Sequence, residues 1–378
     1  MSLAGHLWAL PSFVLAYFSP GLASPVSYLI TGILGLYYFL ETERGKVLLP
    51  FLVLGLSYYL IAGFNYPEIS VMDYFLMVLK YLIVIIAGAT LLRKTTLIEL
   101  YVFLLIGAAT IVIHALFFPF YNAGFSPTYG RFSGFYLNPN YAGAISLIGF
   151  ALSFGVKDKK LKYFGQLVFT IGGFFTFSRY FLGMWILLNF LSVYLNRKNL
   201  IVPAIGAVCI LVIFSLSSGL SLNKERLNAF ESIFSANGAD TEALSKDSRT
   251  ETWANYKDII LDKPIWGNGF KKLQGMHYGL NAGVHNTYLL VIGEAGIFPF
   301  SILVGIYVFF LVRGYRLSKT EPHHALLAIV LFTALLVTHN YFDKFSLLLM
   351  SMYMYLTLTE GTYLENANKE HAKINIKF

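Results

Sequence analysis

VMDYFLMVLKYLIVIIAGATLL, residues 71–92, admits one physical setting. The run is apolar from end to end and carries only Asp73 near its start and Lys80 inside it. As a helix it is long enough to cross the hydrocarbon core of a bilayer, for which about 20 mostly apolar residues are needed. Similar runs recur along nearly the whole chain of 378 residues, of which 57% are hydrophobic and 13% charged. A soluble globular chain does not have that balance. The weak ten-residue alternation of a transmembrane barrel is missing. The sequence therefore predicts an all-α fold, a polytopic transmembrane helical bundle.

Taking runs bounded by Pro, Gly, Asn or charge clusters, spans are expected near 4–19, 22–41, 47–64, 71–92, 97–118, 138–156, 161–177, 179–196, 199–217, 285–312, 324–341 and 344–360, about twelve helices by length. Pro11, Pro20 and Pro25 would kink the first or make it re-entrant. No basic leader or small-residue cleavage site precedes it, so a retained span is expected rather than a signal peptide. The single cysteine, Cys209, excludes an intramolecular disulfide.

The net charge of +8 would suggest nucleic acid in a soluble protein; here it reports orientation, and no nucleic-acid partner is expected. Arg44 and Lys46, Arg93 and Lys94, Lys157 to Lys162, Arg197 and Lys198, and Arg313 to Lys319 fall in every second connection, and Lys369, Lys373 and Lys377 continue the series. Both termini are accordingly placed inside. The opposite short connections hold only Arg131, Arg179 and Lys344.

The chain thus divides into a bundle of nine helices (1–217), an outer loop (218–284), three further helices (285–360) and an inner tail (361–378). A loop of that length points to a functional element. Within it, LNKERLNAFESIF at 222–234 is spaced as an amphipathic helix. SRTETWANYKDIIL follows as a second helix, with Ser248 and Glu251 forming a capping box and Trp253, Tyr256 and Ile260 on the face of Arg249. Pro264 and the Gly-Asn-Gly turn at 267–269 close it.

Four outer segments carry groups that a greasy chain tolerates poorly. Arg249 opens its helix, where a cation opposes the dipole unless an anion is bound; it is either an anion site or a solvated arginine. Arg179 in TFSRYFLG is either a ligand for an anion or a side chain snorkelling to water. Arg131 precedes a helix start at which Asn138 caps and Pro139 takes the first position. His285 and Asn286 open the tenth span; a helix N-terminus disfavours imidazolium, so His285 is either a neutral base or a capping or interface-anchoring histidine. Glu294 lies roughly 13 Å deeper on another face, as a structural polar group. Lys80 is a second deep structural charge, with Asp73 or Glu294 as candidate partners. Three arginines on one side imply an anionic ligand, and diphosphate fits better than a single carboxylate. No metal-ligand spacing, Walker loop or Ser-His-Asp order is present on that side.

HNTYLLVIGEAG at 285–296 resembles the His-Asn-x-Tyr-Leu…Glu-x-Gly signature of the O-antigen ligase and O-antigen polymerase superfamily. SRTETWANYKDIILDKPIWGNGF resembles the arginine-containing segment before it, and GRFSGFYLNPNYAG, FSRYFLG and THNYFD resemble the other family motifs, over roughly residues 125 to 345. Tyr180 stands where a small residue is expected after the arginine. The resemblance implies a metal-independent, inverting glycosyltransferase of the bacterial inner membrane with its site facing the periplasm. Its donor would be a glycan on undecaprenyl diphosphate and its acceptor a lipid such as lipid A core, both embedded in membrane lipid. Carried over, Arg179 and Arg249 would bind the diphosphate and stabilise the leaving group. His285 would take the acceptor proton, and Arg131, Asn140, Asn286 and Tyr288 would bind substrate. A ligase and a polymerase remain open within this class. A lipid-linked glycan transporter is the alternative outside it, but that class usually shows repeat symmetry and charges spread in depth, and no internal repeat is found. The oligomeric state is left open.

Overall fold

The computed structural model describes residues 23–64, 71–117, 130–216, 249–275, 280 and 282–375. Among these, thirteen α-helices and no strand are found. They are α1 (Ala23–Leu40), α2 (Leu49–Phe64), α3 (Val71–Arg93), α4 (Leu97–Phe117), α5 (Pro139–Ser153), α6 (Lys159–Phe175), α7 (Arg179–Leu195), α8 (Ile201–Leu216), α9 (Arg249–Asp262), α10 (Thr287–Ala295), α11 (Ile297–Leu317), α12 (Pro322–Ala334) and α13 (Ser346–Asn375).

The all-α expectation is met. By length and composition, α3, α4 and α11 are long and apolar enough to cross a membrane, and shorter apolar helices lie at 25–40, 49–64, 179–195 and 322–334. Many large side chains on these helices point outward with no protein over them, Phe39, Leu60 and Phe190 among them, as a lipid solvent allows. The expected span at 4–19 and the amphipathic helix at 222–234 lie outside the described residues.

The described residues form two compact units. The first holds residues 23–100 and 252–375, the second those between 101 and 251. In the first, Tyr58 of α2 stacks on Phe342 at 4.0 Å and 7°, with Tyr59 and Phe270 edge-on to Tyr58. This aromatic cluster pins the connection between α12 and α13 to α2 and to the segment after α9. Two ion pairs, Arg93–Glu360 at 2.8 Å and Lys94–Glu41 at 2.7 Å, fasten the ends of α3 and its neighbours. In the second unit, every residue of α5 except Asn140 is buried. A helix that is apolar all round belongs in the middle of its unit. It starts as its sequence requires, with Asn138 Oδ1 accepting from the Tyr141 N–H at 3.1 Å and Pro139 at the first position.

The expected span at 285–312 is interrupted. α10 ends at Gly296, whose φ of 80° lies in the region that favours glycine, and α11 begins at the next residue. The break has an evident cause in the Gly-Asn-Gly turn, which wraps the end of α10. The Asn268 N–H donates to Gly293 O at 2.7 Å, the Gly269 N–H donates to Glu294 O at 3.0 Å, and Asn268 Nδ2 adds a bond to Gly293 O at 3.0 Å. Carbonyls left over at the helix end are thereby satisfied. A Cβ on Gly296 would lie 1.9 Å from Ile265 O, and one on Gly267 would lie 2.3 Å from Glu294 C. Gly296→Ala should destabilise the protein by at least about 1–3 kcal/mol, the range for a strained backbone. Melting followed in detergent checks this; a wild-type melting temperature would mean that the turn gives way freely.

Candidate functional site

His285 lies in the first unit, just ahead of α10, and is half-buried with φ 48°. Side chains rarely adopt that conformation, and where they do the surroundings over-determine it. On one flank the Val284 N–H donates to Leu273 O at 2.9 Å. On the other, the Thr287 N–H donates to Leu335 O at 2.7 Å and the Thr287 hydroxyl to Thr338 O at 2.8 Å. Asn286 caps α10, its Oδ1 accepting from the N–H groups of Tyr288 (2.9 Å) and Leu289 (3.2 Å), a cap of about 1 kcal/mol. The sequence set a cap against a base at this point; the structure gives the cap to Asn286 and leaves His285 outside it.

The Thr287 bonds bring a second imidazole alongside. His339, from THNYFD between α12 and α13, has its ring centroid 4.5 Å from that of His285. Its Nδ1 is buried without a hydrogen-bond partner. Burial, reinforced by the His285 ring and the Lys344 ammonium, holds the His339 pKa down at about 4, so the ring is neutral at pH 7. The unfolded imidazole takes up a proton below about pH 6.5, whereas the folded one waits until about pH 4. The unfolded chain thus binds more protons in that window, and stability falls as pH drops through it. His339→Gln should flatten this part of the melting-temperature profile; parallel curves for the two proteins would remove His339 as its source.

Near His339 the same connection carries Asp343 and Lys344. Burial raises the Asp343 carboxyl above its ordinary value, against the opposing pull of Lys271, Lys344 and Lys80. Lys80 of α3 donates to Ser27 Oγ and lies over the rings of Tyr28 (5.2 Å) and Phe345 (5.4 Å). Asp343 is thus the acid that acts on Lys80, in place of Asp73 or Glu294. Glu294 is fully buried. Its Oε2 accepts from the Tyr58 hydroxyl at 2.5 Å and its Oε1 from the Leu273 N–H at 3.0 Å. It therefore anchors the strand of chain that leads to His285. Tyr288 uses its hydroxyl inside the unit, donating to Phe332 O at 3.2 Å.

The second unit holds Arg131, Asn140 and Arg179. Arg131 is buried; its Nε donates to Thr176 O at 2.9 Å and its Nη2 to Asn140 Oδ1 at 2.7 Å. The guanidinium therefore clamps the segment before α5 to the turn between α6 and α7. That turn has the Phe177 φ at 46°. Ser178 caps α7 by accepting from the Phe181 N–H. Arg179 follows as the first residue of α7, exposed. A cation there stands against the positive end of the helix dipole, a position that favours an anion. His114 of α4 supports the same region, its Nδ1 accepting from the N–H groups of Ser133 (3.4 Å) and Gly134 (3.2 Å). Arg249 is the first residue of α9, as expected from the sequence; its side chain lies outside the described part, and so does Ser248. Further along α9, Tyr256 and Ile260 are buried as their spacing predicts.

Sequence reasoning did not single out His339. Its motif was noted, but nothing in its spacing signals a ring contact with a residue more than 50 positions earlier. His114 was missed for the same reason, as a lone histidine near the end of an apolar helix.

Helices of this length and composition, with exposed apolar faces, are those of a membrane protein. The family model described as O-antigen ligase matches residues 164–304, and that match supports the O-antigen ligase and polymerase superfamily. It takes in Arg179, Arg249, His285, Asn286, Tyr288 and Glu294, while Arg131, Asn140 and His339 lie beyond it. No curated protein matches the chain.

Proposed function

We propose that the protein is an inverting glycosyltransferase of the bacterial inner membrane, with about twelve spans, both termini cytoplasmic and its site on the periplasmic face. It moves a glycan from undecaprenyl diphosphate to a lipid acceptor, lipid A core in the first instance. The observation that carries this reading is the placement of His285 within the matched family stretch. It is held at a strained backbone position by bonds on both flanks and excused from capping by Asn286.

In this mechanism the acceptor hydroxyl attacks the anomeric carbon as the bond from that carbon to the diphosphate oxygen breaks. The hydroxyl proton passes to His285. The diphosphate leaves with the negative charge, which Arg179 and Arg249 neutralise as it grows. His339, kept neutral by burial, adds no positive charge before the transfer and disfavours a second protonation after it. Arg131 positions Asn140 and the turn that carries Arg179. Attack from the face opposite the diphosphate inverts the anomeric centre.

Neither the arginines nor the histidine pair requires a metal for this step, and transfer should persist in EDTA. Activity lost in chelator and restored by a divalent ion would overturn that. The decisive experiment reconstitutes the protein with lipid-linked glycan and two acceptors. Glycan on lipid A core is the expected product. A lengthened lipid-linked chain would make the protein a polymerase, and movement of intact lipid-linked glycan across the bilayer without a new bond would exclude the transferase.

A further inference from the structure

At the far end of α12 from His339, roughly 20 Å away by helix rise, Glu321, His323 and His324 place one ligand atom each within 4.8 Å of one another. Glu321 occupies the N-cap position of α12 but makes no side-chain cap bond. Its Oε2 instead lies 2.9 Å from His324 Nδ1. The ring centroids of His323 and His324 lie 4.0 Å apart, the planes tilted by 36°. The His323 Nδ1 is buried and has no hydrogen-bond partner, while the His324 Nδ1, on a side chain 5% exposed, is met by the Glu321 carboxylate. Unpaired buried nitrogens are rare and call for an occupant.

We propose that these three side chains bind one divalent first-row transition ion, zinc foremost. Two imidazoles and one carboxylate are the donor set such ions take, with metal–ligand lengths of about 2.0–2.2 Å. Neighbouring ligands at those lengths stand about 3.3–3.6 Å apart in a tetrahedral site, so Glu321 and His324, 2.9 Å apart, need to open by less than an ångström. One ion would satisfy the orphaned His323 nitrogen and take over the Glu321–His324 contact, His324 shifting its proton off Nδ1 to bind. It would clip the connection between α11 and α12, where the close approach of Gly314 to the His324 carbonyl leaves no room for a side chain. With three protein ligands, the remaining position is left to water, so the ion is exchangeable. The site is separate from the transfer reaction and does not depend on it.

The test uses the full chain in detergent, purified without a histidine tag and stripped with chelator, then titrated with zinc and with cobalt. One ion per chain is expected, with visible cobalt bands of a nitrogen-and-oxygen site and a higher melting temperature with zinc. Glu321→Gln and His323→Ala change exposed or half-buried side chains and should fold. Each should weaken binding by more than about tenfold and remove the zinc-dependent rise in melting temperature. His339→Gln should bind as the wild type does. No stoichiometric binding by the wild type, or unchanged binding in both Glu321→Gln and His323→Ala, would overturn the assignment.

Discussion

His285→Ala is expected to lower glycan transfer by about 10²–10⁴-fold, the range for a lost general base, while the protein stays folded and inserted. Folding should survive because the cap of α10 and main-chain attachments on both flanks come from the neighbours of His285. Asn286 caps the helix, and the flanking Val284 and Thr287 make the attachments. His285→Gln should be as inactive as the alanine variant, since an amide cannot take the proton at neutral pH. The measurement is the initial rate with purified protein, lipid-linked donor and acceptor, normalised to the folded fraction. A wild-type rate in the alanine variant would strike His285 from the mechanism.

Arg179→Ala and Arg249→Ala should each cost about 10²–10³-fold, the magnitude found when one preorganised donor to a developing negative charge is removed. Each arginine is the first residue of its helix, α7 and α9. In that place a guanidinium is poorly matched to the helix and well matched to an anion. Lysine in place of either should recover part of the loss, because charge is kept while the two-pronged geometry is not. The effect should fall on the turnover rate more than on the acceptor Michaelis constant, since the charge grows only as the bond to the diphosphate breaks. Equal rates for the wild type and both alanine variants would leave diphosphate recognition to other groups. By contrast, Arg131→Ala should cost stability, because its guanidinium is taken up by Thr176 O and Asn140 Oδ1.

What the sequence made legible was local. Apolar length marked the helices, and Asn138 with Pro139 marked the start of α5, because a cap and the residues it serves are neighbours. The buried face of α9 followed from the spacing of Tyr256 and Ile260. The polar pair at 285–286 at the edge of an apolar run marked a helix start, and Asn286 is the cap there. What sequence could not supply were partners far apart along the chain. Glu294 is met by Tyr58, and nothing in an apolar helix tells one tyrosine from another. Lys80 finds Ser27 and the field of Asp343 in place of Asp73 or Glu294. The single long span expected at 285–312 is two helices, because a turn 25 residues upstream intrudes on its backbone. A composition window averages over that break, since Gly296 is no less apolar than its surroundings.

The attachment of residues 269–273 to α10 has a consequence for how such a chain can change. Gly269 N–H to Glu294 O, Leu273 N–H to Glu294 Oε1, and Val284 N–H to Leu273 O are main-chain groups in every case but one. The half-buried Lys272 can therefore be exchanged while the position of His285 is kept, whereas Phe270 and Leu273 are held by the core. A single inserted or deleted residue between Gly269 and Leu273 has no such freedom. It would shift the two ends against each other and break at least one of the attachments.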